Sequence, residues 1–234
     1  MNWKEIKVST RATHFLYEGE LIFGRKFIEV LKFHSPGLAP VLDDSGAYHI
    51  DANGDELYSN RYLRTFGYYC NRASVVDEYN QWFHINEIGE RIYPKSYLWT
   101  GNYQENLCVV RDENGHYFHI NLNGNRIYKE NYRYVGDFKD NVACVKLPNG
   151  YFKHIDIEGN YINDKQFLDL GVFHKNFATA KDEKGWFHID KQGSELYKER
   201  YLIIEPFYNG FALAEKFGGE KIIINEKGKK VIEV

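Results

Sequence analysis

Six histidines recur at a nearly constant interval: His14, His49, His84, His119, His154 and His188, spaced by 35 residues four times and then by 34. Imidazole ligates transition metals and titrates near neutral pH, so six such groups facing one channel could hold a metal or respond to acid. Zinc, however, needs three or four ligands converging at about 2.0–2.1 Å, and residues related by a large-radius repeat do not converge. The expectation is a polar ladder, each histidine bonding the backbone of the next repeat. No metal or other cofactor is assigned.

The remaining reactive residue types give equally plain readings. Asp51, Asp156 and Asp190 follow the histidine–isoleucine pairs, and Asn86, Asn121 and Asn225 alternate with them. That alternation at a turn entry marks a side chain bonding its own backbone, whereas a glycosidase needs two particular carboxylates about 5–9.5 Å apart. Cys108 and Cys144 occupy small apolar columns, and Cys70 lies in a link beside Tyr69. No serine or cysteine stands in a nucleophile elbow, so no catalytic residue is named and the chain is read as non-enzymatic.

Glycines keep the histidine register five residues later: Gly19, Gly54, Gly89, Gly124, Gly159 and Gly193, with Gly228 a further 35 on. Asn53-Gly54 and Asn123-Gly124 read as tight hairpin turns with positive φ. Two aromatic columns follow, Phe27/Tyr62/Tyr97/Tyr132/Phe167/Tyr201 and Phe33/Tyr68/Tyr103/Phe138/Phe173/Phe207, then small-x-apolar pairs such as Ala73/Val75 and Ala143/Val145. Within one repeat, Cys108–Asp112, His116–Asn121 and Asn125–Tyr128 read as three short strands, and Tyr132–Phe138 as a fourth strand or an extended link. In Phe83-His84-Ile85, alternation puts the histidine on the face opposite its neighbours.

The 234 residues thus predict one all-β domain, 1–234. It holds six tandem repeats of short antiparallel strands at about 13–47, 48–82, 83–117, 118–152, 153–186 and 187–221, then a partial repeat at 222–234. A lone 35-residue sheet cannot bury its apolar face, so neighbours must stack. A propeller-like closed ring is favoured, because Lys4–Ser9 and Lys221–Val234 look like pieces of one shared unit. The alternative is an open β-hairpin superhelix, or solenoid. Charge is nearly balanced, with 30 Lys and Arg against 33 Asp and Glu. That excludes the basic footprint of a nucleic-acid binder. No apolar run is long enough to span a membrane, and the N-terminus lacks a secretory signal. Three unpaired cysteines point to a reduced, cytosolic setting, or a host cytosol were the chain exported.

The segments Gly37-Leu38-Ala39-Pro40-Val41, Tyr48-His49-Ile50-Asp51 and Tyr132-Arg133-Tyr134-Val135-Gly136-Asp137-Phe138 resemble the bacterial WG-repeat family over roughly residues 13–234. The naming Trp-Gly dipeptide does not occur: Phe83 and Phe187 follow Trp82 and Trp186, Tyr117 and Phe152 replace the tryptophan, and Ala12 and Ala47 weaken the column. The resemblance implies a repeat-built binding or scaffold module without defined chemistry.

Aromatic residues make up 17% of the chain. Those in fixed columns, Phe33, Phe138, Phe173, Phe207, Trp82 and Trp186, read as inter-repeat core. Rings outside the columns are the binding candidates: Trp99, Tyr134, Tyr69, Tyr79 and Tyr208. Exposed Trp and Tyr anchor protein interfaces and stack on sugars. The leading reading is a protein partner engaged by one face of the array. Its alternative is a lectin-like carbohydrate or cell-wall array, and a remote one is an enzyme in a ring channel. The segment Phe33–Gly37 breaks its own repeat and marks a specialised or decayed loop.

Overall fold

Short alternating segments separated by turn residues fold as seven small antiparallel sheets, with one 3₁₀ turn at Trp3–Glu5. The computed structural model describes every residue from Met1 to Val234. The third sheet typifies the middle of the chain: Arg64–Tyr69 pairs with Arg72–Val76, which pairs with Trp82–Ile85. Each sheet after the first opens with a leading strand, at Glu29–Val30, Arg64–Tyr69, Trp99–Thr100, Tyr134–Val135, Asp169–Leu170 and Ile203–Ile204. The all-β, propeller-like repeat class is as expected.

The sheet unit is offset from the sequence reading. Tyr134–Val135, within the segment read as a fourth strand or an extended link, leads the next sheet by pairing with Ala143–Lys146. The proposed strand Asn125–Tyr128 is reduced to a one-residue bridge, Ile120 to Arg126. The chain there must leave its sheet for the next leading strand, and the turn that carries it away ends the ladder. The ends also differ from expectation. Lys7–Val8 pairs with Phe15–Tyr17, while Lys221–Asn225 and Lys230–Glu233 extend the sheet of Phe211–Glu215. Each end completes its own local sheet.

Two compact units emerge, Met1–Gly115 with His119–Arg126, and His116–Phe118 with Ile127–Val234. In the first, Phe15 packs against Phe27 and Phe33 beside Ala39, Val41, Tyr48 and Ile50. In the second, Phe173, Ala180, Phe187, Ile189, Phe207 and Ile224 form the equivalent centre. Phe83, His84 and Ile85 are all buried, so alternation sorts two interfaces rather than core from solvent. Phe83 meets Tyr62 behind it and His84 meets Tyr103 ahead, at ring separations of 6.1 and 4.7 Å. A strand buried on both faces is what stacking of successive sheets produces.

Turn chemistry sets the spacing. The Gly54 N–H donates to Asp51 O, and Asp51 Oδ1 accepts from the N–H groups of Asn53 and Asp55. The same pair of bonds recurs at Asn86, Asn121, Asp156, Asp190 and Asn225. Of the two turn residues in Asn53-Gly54, the glycine alone has positive φ, so the connection is a type I turn closed by a left-handed glycine. Turns with two successive positive-φ residues sit instead between the first two strands, at Cys70-Asn71, Glu105-Asn106 and Asp140-Asn141. The irregular Phe33–Gly37 segment also has a physical role: the Trp3 ring lies against Gly37, where a Cβ would come within 2.8 Å of it.

The glycine column does more than turn. A Cβ on Gly54, Gly89, Gly124, Gly159 or Gly228 would lie 2.3–2.6 Å from the ring or Cβ of Phe23, Tyr58, Tyr93, Tyr128 or Tyr197 respectively. Each of these aromatics stands 31 residues before its glycine. Substitutions separate the two roles. Gly150→Ala, with φ +90° and open space around it, should cost only the left-handed penalty, about 1–2 kcal/mol. Gly89→Ala adds overlap with Tyr58 and should cost about 1–3 kcal/mol more, read as denaturant midpoints at constant m-value. Equal losses would refute the packing role.

Candidate functional site

The histidine column is a set of clips. Nε2 lies 2.8 Å from Phe66 O in His49, 3.0 Å from Gly101 O in His84, 2.9 Å from Gly171 O in His154 and 2.9 Å from Glu205 O in His188. A carbonyl only accepts, so Nε2 carries the proton in each. Each acceptor lies 17 residues ahead, so the clip joins a sheet's third strand to the next leading segment. Nδ1 is then an acceptor. The phenols of Tyr58, Tyr93 and Tyr197, nine residues on, donate to His49, His84 and His188. With both nitrogens engaged in these three, no lone pair points at a shared centre. His14, at the start of the array, instead places Nδ1 2.9 Å from the Thr13 hydroxyl.

The tyrosine column was missed in the sequence, although its spacing is as regular as that of the histidines. One copy is broken: position 163 is asparagine, and the buried Nδ1 of His154 has no hydrogen-bond partner. Desolvation pushes His49, His84, His154 and His188 down to about 4, opposed by their bonds to backbone carbonyls. Cys108 and Cys144 are buried as small apolar fillers, and burial pushes the Cys144 thiol up to about 12; Cys70 is exposed.

What the clips leave open is one end of each sheet. The leading strand begins at this end and the loop between second and third strands closes it. Here lie Tyr134, 48% exposed, and Trp99, 37% exposed, at the same position of successive sheets. Tyr79, 73% exposed, tips the loop after Arg72–Val76 at this end too. Tyr69 and Tyr208 are placed at the opposite end, beside the first hairpin turns, and Tyr69 is half-buried against His34 at 4.7 Å. The five candidates therefore do not form one cluster. Of the column aromatics, Phe33, Phe138, Phe173 and Phe207 are buried core, whereas Trp82 and Trp186 are half-buried.

In the second unit a groove of about 580 Å³ opens at the leading-strand end. Tyr134, Phe152, Leu147, Pro148 and Leu170 supply apolar surface, with Arg133, Lys146 and Asp169 around them. The Lys146 ammonium sits 5.2 Å from the Phe152 ring centre, and Tyr134 and Phe152 meet at 6.2 Å. A neighbouring cavity of about 280 Å³ continues past Tyr151 and Leu168 to Lys181. Exposed Leu202, Ile203 and Phe217 lie at the same end of the following sheet. Sequence reasoning found Tyr134 here and missed the leucines, which precede the leading strands as Leu63, Leu98, Leu168 and Leu202.

No protein-family model and no curated protein sequence matches the chain. Solved structures do. A computationally designed protein, Ika8, matches with a TM-score of 0.55 at 12% identity, over 98% of this chain and 85% of that one. BamB from Moraxella catarrhalis gives 0.53 at 10%, over 98% and 84%. A eukaryotic initiation factor gives 0.60 at 13%, over 98% and 72%. At these identities the likeness speaks for a propeller-like fold alone. No helix is long and apolar enough to cross a membrane.

Two measurements test the clips. The four neutral histidines bind protons more weakly folded than unfolded, so stability is full above pH 6.5 and falls as pH drops toward 4. The slope is up to about 1.4 kcal/mol per pH unit per histidine. NMR should find their imidazoles neutral and protonated on Nε2 until acid unfolding; titration near 6.5 in the folded protein would contradict this. Asn163→Tyr should supply the missing donor to His154 while giving up the Asn163 bonds to Lys191 O and the Lys165 N–H, so NMR should show His154 Nδ1 bonded with stability changed by no more than about 1 kcal/mol.

Proposed function

We propose that this chain is a non-catalytic binding module that engages a protein partner through the leading-strand end of its sheets. The observation that carries the reading is the concentration of exposed Tyr134, Tyr151, Leu168, Leu202, Ile203 and Phe217 at that end of the second unit, beside an apolar-lined groove. Tyrosine and leucine flanked by Arg133 and Lys146 give the apolar centre and polar rim of an interface. The propeller-like fold supplies the rigid frame and supports no particular chemistry. The WG-repeat resemblance supports the same reading, with the chain as a divergent array that lacks the Trp-Gly pair.

A glycan array would want an aromatic–polar pair in every repeat. The leading-strand position carries Glu29, Arg64, Trp99, Tyr134, Asp169 and Ile203 in turn. Such variation suits one asymmetric protein surface better than six equal sugar sites.

The test is capture of a stoichiometric protein from source-organism lysate, repeated with surface variants of unchanged melting temperature. Tyr134→Ala and Leu168→Ser should each cost about 2 kcal/mol, some thirtyfold in Kd. Tyr208→Ala, at the opposite end, should leave capture intact. Capture lost equally in all three variants, or a glycan-panel signal abolished by Tyr134→Ala, would sink the reading.

A further inference from the structure

At the start of the third strand, the five sheets after the first carry one repeat position in turn as Ala47, Trp82, Tyr117, Phe152 and Trp186. Four of the five are aromatic. At Trp82 the ring fills the space between successive leading strands. The Trp82 indole stacks on Phe66 of its own sheet, with centroids 5.4 Å apart and planes at 21°, and meets Trp99 of the next at 6.5 Å. Phe152 lies against Tyr134 and the Lys146 ammonium of its own sheet. Ala47 has no ring to offer. Beside it the structure holds a cavity of about 210 Å³, lined by Leu31, Leu42, Leu63, Arg64, Phe66 and Glu29.

Leu31 and Arg64 are the repeat equivalents of Phe66 and Trp99, the two residues that hold the Trp82 indole. The cavity therefore occupies the place of that indole, one repeat earlier. A cavity of roughly 150 Å³ already accepts benzene, so this one has room for a six- or nine-atom aromatic ring. Its mouth is charged in a matching way. Glu29 can accept from an indole N–H, and Arg64, already 5.9 Å from the Phe66 ring, can cover a second ring face. The exposed side chains of Leu31 and Leu63 give an apolar rim on which flanking residues of a chain could rest.

We infer that the slot over Ala47 receives a tryptophan side chain from a partner polypeptide, the ring that this repeat lacks being supplied in trans. This rests on the binding-module reading and deepens it by naming an anchor residue. It concerns a different part of the chain from Tyr134 and Leu168, so the two can fail separately: partner capture that depends on Tyr134 but leaves the slot empty keeps the first and removes the second.

The experiment is an NMR titration of the full ¹⁵N-labelled chain with N-acetyl-tryptophanamide, with N-acetyl-alaninamide as the control. Saturable shifts are expected at the amides of Val41, Ala47, Thr65 and Phe66, with a Kd on the order of 1 mM for a lone side chain. Ala47→Trp should fill the slot from within and abolish those shifts while the protein melts no lower. Should that variant fold poorly, Glu29→Ala, at an exposed position, should weaken binding by about threefold to tenfold through the lost indole acceptor. Absence of shifts up to about 10 mM ligand, equal shifts with the alanine control, or shifts that survive in Ala47→Trp would overturn the inference.

Discussion

The constraint on which the rest depends is the buried histidine with both ring nitrogens bonded. In His84, Nε2–H reaches 17 residues forward to Gly101 O, and Nδ1 accepts from the Tyr93 phenol. The Tyr93 ring in turn lies where a Cβ on Gly124 would be, 31 residues further on. One residue thus couples three successive repeats: its own strand, the next leading segment and the following turn. Burying a polar ring without partners would cost roughly the 1–3 kcal/mol of an unsatisfied group. Fully bonded, the same ring fixes register, because a shift of one residue would orphan it.

Departures from the pattern are informative because they come with compensation. Arg91 lies 4.2 Å above the Phe83 ring, covering the outer edge of that sheet. At the equivalent pair two repeats later, cation and ring exchange places: Lys153 stands where the phenylalanine was, and its ammonium sits 4.2 Å from the Tyr161 ring. Elsewhere the cation comes from another position, as with Arg200 over Phe187 at 3.7 Å and Arg61 over Tyr48 at 4.0 Å. The requirement is a cation on a ring, and the identity of the donor is free. Asn163 has no such compensation, which leaves His154 Nδ1 unsatisfied.

This explains what could be read in the sequence and what could not. The histidine, glycine and Asp/Asn columns were legible because each repeats one residue type under one local rule. The Tyr58, Tyr93, Tyr128 and Tyr197 column was hidden by abundance: with 19 tyrosines in the chain, one more spaced set does not stand out. Sheet boundaries were misplaced because Tyr134–Val135 pairs forward, and nothing local distinguishes an extended link from a leading strand. The Asn-Gly turns were read as two-residue connections because the dipeptide favours them, yet the Asp51 carboxylate stabilises a longer one by accepting two N–H groups. Exposure of Tyr134 against half-burial of Tyr69 is a matter of neighbours, which no local pattern encodes.

The two ends of each sheet carry unequal obligations. At the far end, the turn aspartates and asparagines, the glycines under rings, and the Tyr68 and Tyr103 hydroxyls donating to Asn86 O and Asn121 O hold one repeat to the next. A substitution there loosens the array. At the leading-strand end the side chains answer to no such rule, and Glu29, Arg64, Trp99, Tyr134, Asp169 and Ile203 follow one another at a single position. Variation at a position whose backbone is fixed by clips elsewhere alters the surface and spares the frame. The cavity over Ala47 belongs to the same end, and the clip at His49 joins its sheet to the next leading strand without a ring there.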